Sequence, residues 1–176
     1  IVEPLSYEVK KQSAAEIYKK AVNGEKLSKK EIKDFKAFIL VEFGKLNSKS
    51  GWTTQLHIGA VRDYRDSLYE NLGPDTGGDI STSEIEITEN LKYFVNKFDS
   101  EMDIVLYTME QTHWFTTSTI SRAFPNVSLG APWWLNDNPF GMEKHLQQVT
   151  NVDLFYNLAG MVTDSRKLMS YSSRTE

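Results

Sequence analysis

The side chains that could do chemistry gather at the ends of short apolar runs. Gln55-Leu56-His57-Ile58-Gly59 leads into Ala60-Val61-Arg62-Asp63. Gly130-Ala131-Pro132-Trp133-Trp134-Leu135-Asn136-Asp137 closes a second run, and Met161-Val162-Thr163-Asp164-Ser165-Arg166 a third. A carboxylate and an imidazole suit a hard or borderline divalent metal. A guanidinium grips a carboxylate or phosphate through paired donors. Tryptophan faces suit the C–H surface of a sugar ring. Each of these residues also has a plain structural role open to it. His57 can be a hydrogen-bonded core histidine, Trp133 and Trp134 can be wall, and Asp164 can cap the helix that follows it. Gly73-Pro74-Asp75-Thr76-Gly77-Gly78-Asp79 reads as a flexible turn, and His113 and His145 carry no pattern and are taken as surface or structural. Spacing alone reaches no further than a metal or a sugar.

The elements that must hold these residues fall into two stretches. Residues 1–50 carry 11 Lys and no Arg against 7 Asp plus Glu, while residues 51–176 carry 9 basic against 17 acidic residues. The first stretch reads as a helical segment of two helices. One covers Ser13 to Val22 and stops at Asn23-Gly24, a C-terminal signal. The other starts at Ser28, with Glu31 in capping-box position, and shows Ile32, Phe35, Phe38, Ile39 and Phe43 at helical spacing. Its lysines read as a solvated face. From Gly51 onward, four runs rich in β-branched or aromatic residues predict strands: Trp52–Ile58, Asp103–Met109, Asn126–Ala131 and Phe155–Thr163. Helical faces lie between them, at Ile87, Leu91, Phe94, Val95 and Phe98, and across Phe140 to Val149. Strand–helix alternation predicts an α/β fold with a parallel sheet. The run starts are 51, 23 and 29 residues apart, compatible with roughly 30 residues per unit of a (β/α)8 barrel. Four units are half of what closure needs, and half a barrel leaves sheet edges open. An open doubly wound sheet is the alternative, but no glycine-rich phosphate turn supports it.

Composition narrows the classes. The 176 residues are 40% hydrophobic and 25% charged, enough apolar surface for a packed domain. The net charge of −4 gives no basic excess for nucleic acid. Apolar runs such as Ala37 to Val41 are far too short to cross a membrane. Cysteine is absent, which removes disulfides, thiolate nucleophiles and cysteine-ligated zinc, and fits a cytoplasmic setting. The chain opens on Ile1 and closes after a polar stretch at 170–175, from which a fragment of a longer protein is expected.

Four ordered motifs together resemble the uronate isomerases. They are Gln55-Leu56-His57-Ile58-Gly59-Ala60-Val61-Arg62, Leu72-Gly73-Pro74-Asp75-Thr76-Gly77-Gly78-Asp79, the 130–137 segment and Gly160-Met161-Val162-Thr163-Asp164-Ser165-Arg166. The resemblance spans essentially the whole chain. It implies the amidohydrolase-type (β/α)8 barrel, of which residues 51–176 would be the C-terminal half, incomplete at both ends. It also implies interconversion of D-glucuronate with D-fructuronate and of D-galacturonate with D-tagaturonate, with a divalent metal such as zinc. Asp164 matches a metal ligand with a catalytic role, and His57 a second ligand. Arg166 matches a substrate-holding and catalytic group, Trp133 a substrate-side ring with Trp134 behind it in the wall, and Arg62 is a second clamp for the substrate carboxylate. The His-x-His pair that the family carries is absent: His57, His113 and His145 are all isolated. The expectation is therefore an isomerase whose remaining ligands lie in a missing N-terminal half, with the 176 residues inactive alone. Open sheet edges point to a homo-oligomer. Two other classes stay open: a metal-dependent amidohydrolase-type hydrolase of a small carboxylated substrate, and a non-catalytic carbohydrate-binding module.

Overall fold

The computed structural model describes residues 1–131, 133–152, 155–160 and 168–172. Helices α1 (Lys11–Val22) and α2 (Lys29–Ser50) form an antechamber to the sheet. α1 starts two residues before its expected Ser13 and ends where Asn23 and Gly24 donate back to Lys19 and Ala21 carbonyls. α2 begins on the expected capping box. The Ser28 hydroxyl accepts from Glu31 N–H at 3.2 Å, and the Glu31 carboxylate accepts from Ser28 N–H at 2.8 Å.

The face that α2 buries differs from the expected one. Ala37, Val41 and Gly44 are buried, whereas Ile32 and Phe43 stand exposed. The physical reason is close approach. A Cβ at Gly44 would fall well inside van der Waals contact of the Phe98 and Phe94 rings, so small residues set the helix down on the core. The bulky side chains flank the contact rather than make it. The buried Ser6 fixes the entry to this layer by donating to the Asn90 carbonyl and accepting from Phe94 N–H.

The sheet follows the alternation read from the sequence. β1 (Thr54–Ile58), β4 (Ile104–Thr108) and β5 (Val127–Leu129) are parallel, in the order β1-β4-β5. β2 (Ala60–Val61) and β3 (Ile80–Ser81) form a small antiparallel pair beyond the end of β1, enclosing the short helix α3 (Asp66–Leu72). α4 (Ile87–Lys97) covers one sheet face. Its N-terminus is capped by the Glu86 carboxylate, which accepts from Thr88 and Glu89 N–H groups. All five of its anticipated apolar positions, Ile87, Leu91, Phe94, Val95 and Phe98, are buried with Leu56, Ile58, Ile104, Leu106 and Val127 in one core.

The outcome for the fourth expected strand is different. Phe155–Asn157 is a single 3-10 turn, and only Leu158 bridges in parallel fashion to Leu129. Its expected continuation at 161–163 lies outside the described residues. The short helix α7 (Leu168–Ser172) follows.

Two further helices pack together beside β4 and β5: α5 (Trp114–Ala123) and α6 (Pro139–Val152). α5 had no sequence signal, since its Ser and Thr are weak helix formers. Those hydroxyls are buried by bonding back to the helix, Ser118 to the Trp114 carbonyl at 2.7 Å and Thr117 to that of His113 at 3.0 Å. α6 covers the expected Phe140–Val149 and is longer at both ends. Between the two helices the buried His145 meets Trp114 edge-on, centroids 4.8 Å apart. Its Nδ1 finds no hydrogen-bond partner among the described residues. Burial pushes this imidazole down to about 4, from an ordinary value of 6.5. The sign follows directly: below pH 6.5 the unfolded chain takes up a proton that the folded chain refuses. Folding stability is therefore lost progressively as pH falls from 6.5 towards 4, at up to about 1.4 kcal/mol per pH unit. Urea unfolding of the complete protein at pH 7 and pH 4.5 checks this. The wild type is expected to lose stability relative to His145→Leu on acidification, and parallel losses in both proteins contradict it.

Candidate functional site

Side chains alternate across each strand, so parallel register sorts them into rows. Leu56 and Leu106 pair on the face that α4 covers. His57 pairs with Tyr107 on the other face, near the C-terminal ends of β1 and β4. There the imidazole and the phenol ring lie flat on each other, with centroids 4.3 Å apart and planes 6° from parallel. Gly130 is held beside them by its N–H donating to the Leu106 carbonyl at 2.9 Å. A Cβ at Gly130 would sit inside the Tyr107 ring, so the missing side chain is the space the phenol occupies. Trp133 completes the group: its ring stands edge-on to His57 at 5.0 Å and to Tyr107 at 6.2 Å. Burial raises the Tyr107 phenol above its ordinary value.

The segment after β5 is anchored to the end of β4. The buried Asn136 donates to the Met109 carbonyl at 2.7 Å and accepts from Gln111 at 3.3 Å. Trp134 has a positive φ of 55°, which turns it away from its neighbour. It is 37% exposed and lies under the Arg62 guanidinium at 4.8 Å. This corrects the expectation that Trp134 stands in the wall behind Trp133: backbone reversal sends consecutive rings to different partners.

Arg62 also binds the turn expected to be flexible. Its Nη1 lies 3.2 Å from Asp75 and 3.4 Å from Asp79. Asp79 accepts from Asp63 N–H at 2.6 Å, and Asp63 accepts from Asp75 N–H at 2.9 Å. Residues 63, 75 and 79 thus knot the 73–79 segment to the strand end through one guanidinium and two peptide donors. Arg62, anticipated as a carboxylate clamp, holds protein carboxylates here.

The structure brings His57 and Trp133 together and sets Arg62 on the tryptophan next to them. Asp164 and Arg166 lie outside the described residues. Among the described residues no three His, Asp or Glu side chains converge. The single imidazole of His57 falls short of the three protein ligands of a catalytic metal centre, so these residues do not make one by themselves. Sequence reasoning missed Tyr107 and Asn136. Tyr107 sits in the unbroken apolar run Ile104–Tyr107 and reads as core, and only its register against His57 reveals it.

Set beside known proteins, the chain matches the glucuronate isomerase family model over residues 2–176. It belongs to the glucuronate isomerase family. A uronate isomerase of Thermotoga maritima is 60% identical over 176 residues, all of this chain but 39% of that protein. One from Oceanobacillus iheyensis is 36% identical, covering 93% of this chain and 36% of the relative. The chain therefore spans about two-fifths of the length of the curated relatives it matches. The crystal structure of the Thermotoga maritima uronate isomerase superposes with a TM-score of 0.95 over 98% of this chain and 38% of that one. The glucuronate isomerase of Caulobacter crescentus, 27% identical, superposes at 0.87 over 96% of this chain and 35% of that one. For this family member the geometry makes a sharp prediction. Gly130→Ala must push the Tyr107 ring off His57, costing about 1–3 kcal/mol as overpacking does. A lowered melting temperature with a changed near-ultraviolet circular dichroism spectrum is expected, and a spectrum and melting temperature equal to wild type would contradict the packing.

Proposed function

We propose that the complete protein is a uronate isomerase, interconverting D-glucuronate with D-fructuronate and D-galacturonate with D-tagaturonate. Family membership over residues 2–176 is the observation that carries this reading. The sheet supports the barrel that goes with it. Its strands are ordered strictly as they occur in the chain, with Leu158 next in line against Leu129. A barrel adds strands in that way, whereas a doubly wound sheet reverses at a switch point. The outer edge of β1 carries no strand among the described residues, and it is where the rest of the barrel attaches. His57, Tyr107 and Trp133 stand near the C-terminal strand ends, the side on which such barrels work.

The reaction moves one proton between neighbouring carbons. The proton leaves C2 of the open-chain aldose, the C–H electrons form an enediol, and the aldehyde oxygen takes up a proton. Collapse of the enediol then delivers a proton to C1, while the C2 hydroxyl gives up its own and becomes the ketone. Atoms and charge balance, and no external oxidant is needed. Within this chain Trp133 offers an apolar edge to the sugar, beside the His57 imidazole. Arg166 is the group assigned to the substrate carboxylate, since Arg62 is engaged with Asp75 and Asp79. The divalent metal belongs to the complete protein. This chain would contribute His57 and Asp164 to it, with the remaining ligands supplied by the rest of the polypeptide.

The test is product formation from D-glucuronate and D-galacturonate by the complete protein and by the 176-residue chain. The complete protein is expected to form the ketose and the isolated chain none. Absence of ketose from the complete protein would remove the isomerase reading and return the hydrolase and the non-catalytic binding module to the front.

A further inference from the structure

The Tyr107 hydroxyl is an unfilled hydrogen-bonding position in the middle of this site. Tyr107 is 3% exposed, and its Oη has no hydrogen-bond partner among the described residues. A buried hydroxyl left in that state costs on the order of 1–3 kcal/mol, so a chain selected for stability alone would do better with Phe at the same place. Phe would keep every contact the ring makes: the stack on His57, the edge of Trp133 and the seat over Gly130. The oxygen is therefore not explained by packing. The same condition at His145 Nδ1 lies between two helices, away from any candidate chemistry. At Tyr107 the orphan sits instead in the ring flanked by His57 and Trp133.

We propose that the Tyr107 hydroxyl binds an oxygen of the sugar acid, making Tyr107 a substrate-contacting residue of the site. This rests on the isomerase reading and adds to it a polar contact on β4 that no motif suggested. The flat stack prevents the hydroxyl from bonding the imidazole beneath it, since the ring planes are only 6° from parallel. No described residue satisfies it, and an oxygen of a ligand seated against Trp133 would supply the missing partner. The Gly130 gap acts as the positioning device: it fixes the ring, and with it the oxygen, at a set place against His57.

The experiment compares wild type with Tyr107→Phe in the complete protein, by calorimetric binding of D-glucarate and by steady-state turnover of D-glucuronate. D-Glucarate is an open-chain sugar diacid without the aldehyde, so it binds without reacting. The variant deletes one unpartnered oxygen and is expected to melt at or above the wild-type temperature. Its D-glucarate affinity is expected to fall about tenfold, with a similar or larger fall in kcat/KM. Wild-type affinity and turnover in the variant would overturn the proposal while leaving the isomerase intact. Loss of melting temperature together with affinity would also overturn it, by showing that the hydroxyl supports the fold. A wild type that neither binds D-glucarate nor forms ketose removes the isomerase reading itself, and this proposal with it.

Discussion

One steric fact organises the chemistry-bearing end of this chain: the Tyr107 ring occupies the side-chain space that Gly130 leaves empty. Because β4 and β5 are in parallel register, the residue beyond Leu129 must pass beside Tyr107, and any side chain there would collide with it. With the glycine, the phenol lies flat against His57 and presents its edge to Trp133. Three aromatic planes, from β1, β4 and the segment after β5, are thereby locked together. A site built this way depends on backbone position, which the core beneath β1, β4 and β5 supplies. That core is itself set by a second close approach, Gly44 of α2 on the Phe94 and Phe98 rings.

The loop chemistry follows a different logic. Arg62 has two carboxylates within 3.4 Å and an indole within 4.8 Å, and the carboxylates in turn engage backbone donors or neighbours of donors. An exposed ion pair alone contributes little. Here the arrangement is a network, and Asp79, whose side chain is only 5% exposed, is its anchored member. The consequence is a glycine-rich segment held in one place over the strand ends. Such a segment can shape a pocket with less ordering left to be done on binding.

Much of the fold was legible in the sequence for simple reasons. Helical spacing of Ile87, Leu91, Phe94, Val95 and Phe98 named the buried face of α4 in full, because burial there follows period alone. Ser28 and Glu31 announced the start of α2 through their own chemistry. The face of α2 was misread because its contact is made by small residues, and a hydrophobicity pattern weights bulk. α5 escaped notice because its Ser and Thr satisfy themselves within the helix, a bond that periodicity does not show. For the site, the motif residues His57 and Trp133 were singled out by type and position, and the structure sets their rings side by side. Tyr107 was not, since an apolar run hides which of its members turns towards the open face. Trp134 leaves the expected wall position because its φ of 55° reverses the backbone there, which residue type does not signal.

The His57–Tyr107–Trp133 face is proposed as the surface on which the complete protein holds its sugar acid. The most direct measurement is a crystal structure of the complete protein with D-glucarate bound. The sugar acid is expected against Trp133, with one of its oxygens within hydrogen-bond distance of the Tyr107 hydroxyl. A sugar acid bound elsewhere, with this face filled by the protein's own polypeptide, would contradict it.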